Sequence, residues 1–364
     1  MIPYLLGLVP WLIAALGVAA ARANPYWVDV LFAERWYPFL VRNITILNKL
    51  PIPIAPVLTA LIVVWCIAGL IIATVHSLRS GRFAPILKAL YRRIAAGGCA
   101  FLLLYALWGA QYSRTPLNPI ALTPSVNTIT ALASVYNSND TLIRQCEEWI
   151  SQANRLHPRV RASGVIRSQE PDDVLARVPS VFENARASLP RAVVIPVSTP
   201  KPLGFDSLFS SLLIEGLYFP YTFEALVNTS IPAIDLPFVA CHEAAHALGY
   251  AREEEANLIA AIVCAKSPDP VFQYSGVMSS LRYALSSLAA HDVSAYWSLL
   301  DQMNANVRAD FINRQRYWQE RSSTPLAQFA ARINDLFLLK AGGESGGAKS
   351  YGRVVELLRV YGHD

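Results

Sequence analysis

The stretch Asp235-Leu236-Pro237-Phe238-Val239-Ala240-Cys241-His242-Glu243-Ala244-Ala245-His246-Ala247-Leu248-Gly249 decides how the rest of the chain is read. Its pattern is helical from Val239 to Leu248. Asp235 can cap the helix, and Pro237 suits the first turn, where a missing N–H costs little. On such a helix His242 and His246 stand at i and i+4, one turn apart on one face. Two imidazole nitrogens then reach a single ion, and zinc takes such nitrogens at about 2.0–2.1 Å. Glu243 sits beside them, placed to accept a proton from a water whose pKa zinc lowers towards about 7. Gly249, three residues past His246, is expected to end the helix in a left-handed conformation and turn the chain back.

A catalytic zinc takes three protein ligands and leaves one position open. Beyond the glycine lies Arg252-Glu253-Glu254-Glu255-Ala256-Asn257, and no histidine follows until His291, so the third ligand is expected from these acids. An acidic helix start also suits the helix dipole, which accounts for at least one of the three. If a helix begins near Arg252, Glu253 and Asn257 stand one above the other, and the Asn257 amide is expected to orient a histidine. The same register pairs Glu254 with Leu258 and Glu255 with Ile259, neither of which offers polar support. Glu255, reaching further across a short spacer, is the alternative. Tyr218 and Tyr274 are candidate donors to a developing oxyanion, although packing is the commoner role for a tyrosine. His157, His291 and His363 lack any partner pattern and read as ordinary surface or core residues.

Working outward, the 364 residues are 54% hydrophobic and only 16% charged, which places part of the chain in lipid. Three spans are predicted, at about 4–21, 54–75 and 94–111, each free of charge, with Trp108 and Tyr112 as interfacial anchors of the last. The first lacks the basic start of a signal peptide and reads as a retained anchor. Between the first two, Tyr26, Trp27, Trp36, Tyr37 and Phe39 predict a segment lying on the membrane. Residues 76–93 read as a loop holding Arg79, Arg82, Lys88, Arg92 and Arg93 and no acid. That loop is expected in the cytoplasm, which leaves everything after Tyr112 outside it. The net charge of +5 includes no basic run interleaved with aromatics, so nucleic acid is not an expected partner. The five cysteines show no Cys-x-x-Cys spacing, which excludes a thiolate zinc site and a dense disulfide framework; one bridge among Cys146, Cys241 and Cys264 is compatible with the spacing.

A membrane region, 1–112, is therefore expected to precede a mostly α-helical domain, 113–364, with a small β-sheet. Helices are predicted over 140–155, 253–266 and 277–289, with more after Ala290. Residues 158–179 read as loop-rich. A short strand is predicted over 191–198, with Pro196 marking an edge, and a hairpin over 214–220 and 224–231 whose edge can pair with an extended peptide. A Gly-rich break at 342–347 precedes a short closing helix.

His-Glu-x-x-His-x-x-Gly followed by Glu-x-x-Ala-Asn, at residues 242–249 and 253–257, resembles the glutamate-ligand zincin peptidases, among them the CAAX-prenyl proteases. More closely, the chain is similar to the bacterial domain-of-unknown-function 3810 family. The stretches that carry this resemblance are Trp108 to Leu117, Gly216-Leu217-Tyr218-Phe219-Pro220, Pro237-Phe238, the histidine motif and Tyr274-Ser275-Gly276. The resemblance implies a zincin-like metallopeptidase domain in which His242, His246 and Glu253 hold Zn2+. It departs from the long-spacer glutamate zincins in that only six residues separate His246 from Glu253. That is closer to the metzincin spacing, but Arg252 fills the position of the metzincin ligand and cannot bind zinc. The expected function is peptide-bond hydrolysis by a multi-pass protein of the bacterial cytoplasmic membrane, with the bilayer and a peptide or protein substrate as its partners. The alternatives are a non-catalytic sensor or scaffold with a structural metal site, and a metal-dependent hydrolase acting on a non-protein envelope substrate.

Overall fold

A computed structural model of the chain describes residues 7–44, 50, 52–117, 139–162, 170–191, 195–341, 354–355 and 357–358. The chain divides into two compact units, Met1–Thr115 with Phe219–Glu224, and Pro116–Tyr218 with Ala225–Asp364. The first unit holds helices α1 (Val9–Ala23), α2 (Tyr37–Ile44), α3 (Ile54–Ser80) and α4 (Ala84–Leu107). α3 and α4, at 27 and 24 residues, are long and apolar enough to cross a membrane, whereas α1 has 15. The predicted first span begins among residues outside those described. A turn at Pro25–Trp27 and a π-helix, Val28–Trp36, fill the aromatic segment ahead of α2.

The predicted basic loop is corrected. α3 runs through to Ser80 and α4 starts at Ala84, so Arg79, Lys88, Arg92 and Arg93 lie on helices around a tight turn at Gly81. Charge misled the reading here, because a basic residue near a helix end extends its aliphatic stem along the helix and needs no loop. α4 also ends earlier than the predicted span, passing into a 3₁₀ turn, Gly109–Ser113. Next to that turn Arg114 donates to the Asp29 carboxylate at 3.0 Å. At the other end of the unit the Glu224 carboxylate accepts from the backbone N–H groups of Ile54 (2.9 Å) and Ala55 (2.7 Å), satisfying the first free donors of α3.

The second unit is helical, with one small sheet. Its elements are α5 (Asn139–Ala162), α6 (Pro171–Ala185), β1 (Lys201–Pro202), α7 (Asp206–Ser211), β2 (Gly216–Phe219), β3 (Glu224–Val227), α8 (Leu236–Ala247), α9 (Glu253–Lys266), α10 (Pro270–Ala289), α11 (Val293–Gln302), α12 (Ala305–Ser322) and α13 (Pro325–Ala341). The strand order is β1-β3-β2, with Lys201 opposite Leu226 in a parallel pair, so β2 is an edge. The hairpin falls where predicted. The strand expected at 191–198 does not: residues 192–194 lie outside those described, and the pairing occurs at Lys201–Pro202.

The loop-rich reading of 158–179 is the second correction, over 158–162 and 171–179, which are helical; residues 163–169 lie outside those described. Pro158 lies inside α5 and Pro179 inside α6, while Pro171 opens α6. A helix-interior proline costs about 3 kcal/mol. Against that, α6 buries Val174, Leu175, Val178, Val181, Phe182 and Ala185, each large side chain adding about 1.5–3 kcal/mol. The Gly-rich segment at 342–347 lies outside the described residues. In the core of the unit α8 and α9 pack on each other, α6 packs against both, and α10 packs against both and against α5. α8 and α9 are buried on nearly all sides, so helices that carry histidine and glutamate sit where leucine would be ordinary.

Candidate metal centre

α8 begins with Pro237 in its first turn and carries Ala240, Ala244, Ala245 and Ala247, residues of the highest helix propensity. Asp235 occupies the residue before it, yet its carboxylate caps nothing. It accepts from Arg314 Nε at 2.7 Å, and the Arg314 Nη2 group donates to Glu215 Oε1 at 3.1 Å. The predicted capping role of Asp235 is thus replaced by a buried ion pair, the stronger partner for a carboxylate out of water.

At its other end α8 closes on Gly249, whose φ of 92° is the left-handed conformation expected of it. Gly249 N donates to His246 O (2.9 Å) and Tyr250 N to Ala245 O (3.2 Å). This turn brings the Tyr250 carbonyl to His246 Nδ1 at 2.7 Å. A carbonyl only accepts, so His246 Nδ1 carries the proton and Nε2 is left with its lone pair. His246 Nε2 lies 3.1 Å from His242 Nε2.

α9 begins at Glu253, the residue after Arg252. Glu253 Oε2 is 3.3 Å from His242 Nε2, and Oε1 is 3.7 Å from His246 Nε2. The ligand-type atoms of His242, His246 and Glu253 all lie within 4.8 Å of one another. A tetrahedron around an ion with bonds of about 2.0–2.1 Å has edges of about 3.3–3.4 Å, so these three donors have the spacing that zinc requires. The donor types, two imidazoles and a carboxylate, suit it equally.

The charges point the same way. Burial alone would lower His242, but its hydrogen bond to Glu253 and the Glu253, Glu243 and Glu215 charges hold it up at about 9. Burial takes His246 down to about 4. Burial would raise Glu253, but the two histidines outweigh it and bring the carboxyl to about 2. The His242 proton and the Glu253 carboxylate are thus held against each other, and the proton between them occupies a place that a cation can take.

Glu243 is buried, and its carboxyl is pushed up to about 8, first by burial and then by the Glu253 and Glu215 charges, against His242. It lies against β2. A Cβ placed on Gly216 would stand 2.5 Å from Glu243 Oε1 and 2.6 Å from its Cγ. Only glycine lets the strand backbone come so near the carboxylate. Side chains alternate along a strand, so buried Tyr218 shares the face of β2 on which Gly216 meets Glu243.

The remaining candidates are engaged elsewhere. Glu255 accepts from Leu117 N at 2.7 Å and pairs with Arg191 at 3.4 Å, which leaves Glu253 as the acid at the histidines. Asn257 accepts from the Tyr283 hydroxyl at 2.9 Å and does not orient a histidine; the Tyr250 carbonyl does that for His246. The Tyr274 hydroxyl donates to Asp310 at 2.8 Å, beside His157, so it is not turned to the cluster. His242 Nδ1 is buried without a hydrogen-bond partner. Sequence reasoning missed three contributors: the Tyr250 carbonyl, the Glu215–Arg314 pair and Gly216. A glycine inside a strand pattern, with its implied close backbone approach, was the available signal for the last.

Fold and site together define a mostly helical protein with candidate membrane-crossing helices near its N-terminus and a partly buried His–His–Glu cluster. The chain belongs to the family described as protein of unknown function (DUF3810), whose model matches residues 32–359. No curated protein and no solved structure matches it.

Proposed function

We propose that the protein is a membrane-anchored zinc metallopeptidase of a zincin-like type. The observation that carries this reading is the convergence of His242, His246 and Glu253 at the edge lengths of a zinc tetrahedron, with Glu243 beside them and outside the donor set. When bound there, zinc supplies the Lewis acidity that makes water a nucleophile near neutral pH and polarises a carbonyl. Glu243, a buried carboxyl beside the donor set and outside it, takes the proton from the attacking water and returns it to the departing amine. Tyr218, on the same face of β2, is the candidate donor to the oxyanion. β2 is an edge, so an extended peptide added to it would run alongside Glu243.

From the basic residues Arg79, Arg82, Lys88, Arg92 and Arg93 around the α3–α4 turn we infer that this turn is cytoplasmic and that the second unit lies outside the bacterial cytoplasmic membrane. A reporter inserted at Gly81 is expected to be cytoplasmic, and one fused after Asp364 extracytoplasmic. A cytoplasmic C-terminal reporter reverses the orientation.

Zinc determination on purified protein, paired with peptide-cleavage profiling of wild type and Glu243→Gln, tests the activity. Both proteins are expected to hold one zinc, while the variant loses about 10²–10⁴-fold in turnover. Zinc retention with no cleavage by wild type would favour the structural-site or non-protein-substrate reading, and equal turnover in the two proteins would sink the role given to Glu243.

A further inference from the structure

β2 is four residues long and pairs with β3 on one side only. Its backbone nevertheless stands so near Glu243 that a Cβ on Gly216 would meet that side chain at 2.5, 2.6 and 2.8 Å. So short an edge needs a second anchor to keep this approach. One guanidinium supplies it. Glu215, the residue before β2, accepts from Arg314 Nη2 at 3.1 Å, and Asp235, the residue before α8, accepts from Arg314 Nε at 2.7 Å. Arg314 is buried on α12, and Trp318, one turn further along that helix, donates Nε1 to the second Asp235 oxygen at 3.5 Å. We propose that Arg314 is a positioning residue that holds β2 against α8 and thereby fixes the gap between the Gly216 backbone and the Glu243 carboxylate.

The side chain suits the task. A guanidinium sends its donors in fixed directions, so two carboxylates on separate elements are held at a set spacing as well as neutralised. Asp235 is buried with Arg314 and Glu215 is half-buried, so these charged hydrogen bonds are shielded from water. The peptide group of Glu215 is engaged as well, its carbonyl accepting from Asn228 N at 3.0 Å, which ties the start of β2 to the end of β3. His242, His246 and Glu253 come from α8 and α9, and the bridge touches none of them. What it sets is where an extended peptide paired with β2 would lie relative to Glu243. A misplacement of about 1 Å between reacting groups costs about 100-fold in rate. That last step rests on the peptidase reading, whereas the spacing of β2 from α8 does not.

The experiment is a cycle of thermal midpoints on the full-length protein in detergent, read by tryptophan fluorescence. In the wild type, Gly216→Ala should lower the midpoint by about 4–10 °C, because the added methyl is driven into Glu243. In Glu215→Ala the strand has lost its arm of the bridge and can back away, so the same substitution should cost about half as much or less. Arg314→Met should relieve the clash likewise. Glu215→Ala keeps the Asp235–Arg314 pair and carries the test where Arg314→Met does not fold. Equal costs in every background, or no cost in the wild type, overturns the proposal. Zinc affinity in Glu215→Ala should stay within about threefold of wild type, short of the 10–100-fold that a lost ligand-supporting contact causes. Its turnover number on peptide should fall by about 10–100-fold. Wild-type turnover, or a zinc loss of the larger size, overturns the positioning role. A wild type that cleaves no peptide counts against the peptidase reading alone, and the midpoint cycle still decides what Arg314 holds.

Discussion

The N-terminal helices and the α8–α9 pair treat polarity in opposite ways. α3 turns Leu61, Val64, Ile67 and Ile72 outward, whereas α8 and α9 bury Glu243, His246, Glu255 and Asn257. Each arrangement is unfavourable in ordinary surroundings. Exposed aliphatic rows are stable against lipid, and buried polar groups are stable only against partners. The difference makes the polar region the more informative, since naming the partner of each buried group nearly assigns its role. Glu255 is accounted for by Leu117 and Arg191, Asn257 by Tyr283 and His246 Nδ1 by Tyr250. Of the rest, the two Nε2 atoms and the Glu253 carboxylate have one another and the ion that would fit between them, Glu243 stands beside them, and His242 Nδ1 is buried without a partner.

The largest expected effect follows from the two glutamates that this partner rule separates. Glu253→Ala should weaken zinc binding by more than about 100-fold, beyond what the loss of a supporting hydrogen bond causes. Glu255→Ala should leave zinc binding intact and destabilise the fold by about 2–3 kcal/mol, because a backbone donor and a guanidinium lose a charged partner. Competition with a chelating dye and chemical denaturation measure the two quantities. Equal zinc losses, or the larger loss at Glu255, would mean that burial partners do not assign roles here.

A smaller effect tests the other half of the contrast. Ile67→Arg places a charge midway along α3, on a side chain that faces outward. For a spanning helix the expected penalty is about 2.5–3.5 kcal/mol on insertion, read as protein lost from the alkali-resistant membrane fraction. If α3 is a surface helix in water, the substitution leaves that fraction unchanged and removes the lipid explanation for its exposed aliphatic residues.

These two halves were not equally legible in the sequence. The α8 motif, its Gly249 turn and the Glu253 register follow from spacing along one or two helices, and local geometry preserves spacing. The hairpin was legible for the same reason. Lost from view was whatever depends on a distant residue. Asp235 looks like a cap until Arg314, on α12, claims its carboxylate. Tyr274 looks available until Asp310 takes its hydroxyl. Pro158 and Pro179 look like breaks until the apolar face of α6 and the length of α5 outweigh them. In each case tertiary contact overrode a sound local preference.

The smallest effect concerns Asn257, where local reasoning and the fold disagree most directly. Position i+4 from Glu253 suggests an amide that steadies the metal ligands, and loss of such an amide costs about 10–100-fold in metal affinity. Instead, the Asn257 side-chain carbonyl accepts from the Tyr283 hydroxyl of α10 at 2.9 Å, and both residues are buried. Asn257→Ala should therefore leave zinc affinity unchanged. It should cost about 1–2 kcal/mol of stability, the penalty for a buried hydroxyl without its acceptor. Tyr283→Phe should cost a similar amount, since it strands the amide. Removing both partners leaves neither group unsatisfied, so the double variant should lose less than the sum of the singles. A sub-additive cycle in stability with flat zinc affinity places Asn257 in the α9–α10 packing. An additive cycle together with a tenfold drop in zinc affinity would return it to the metal site.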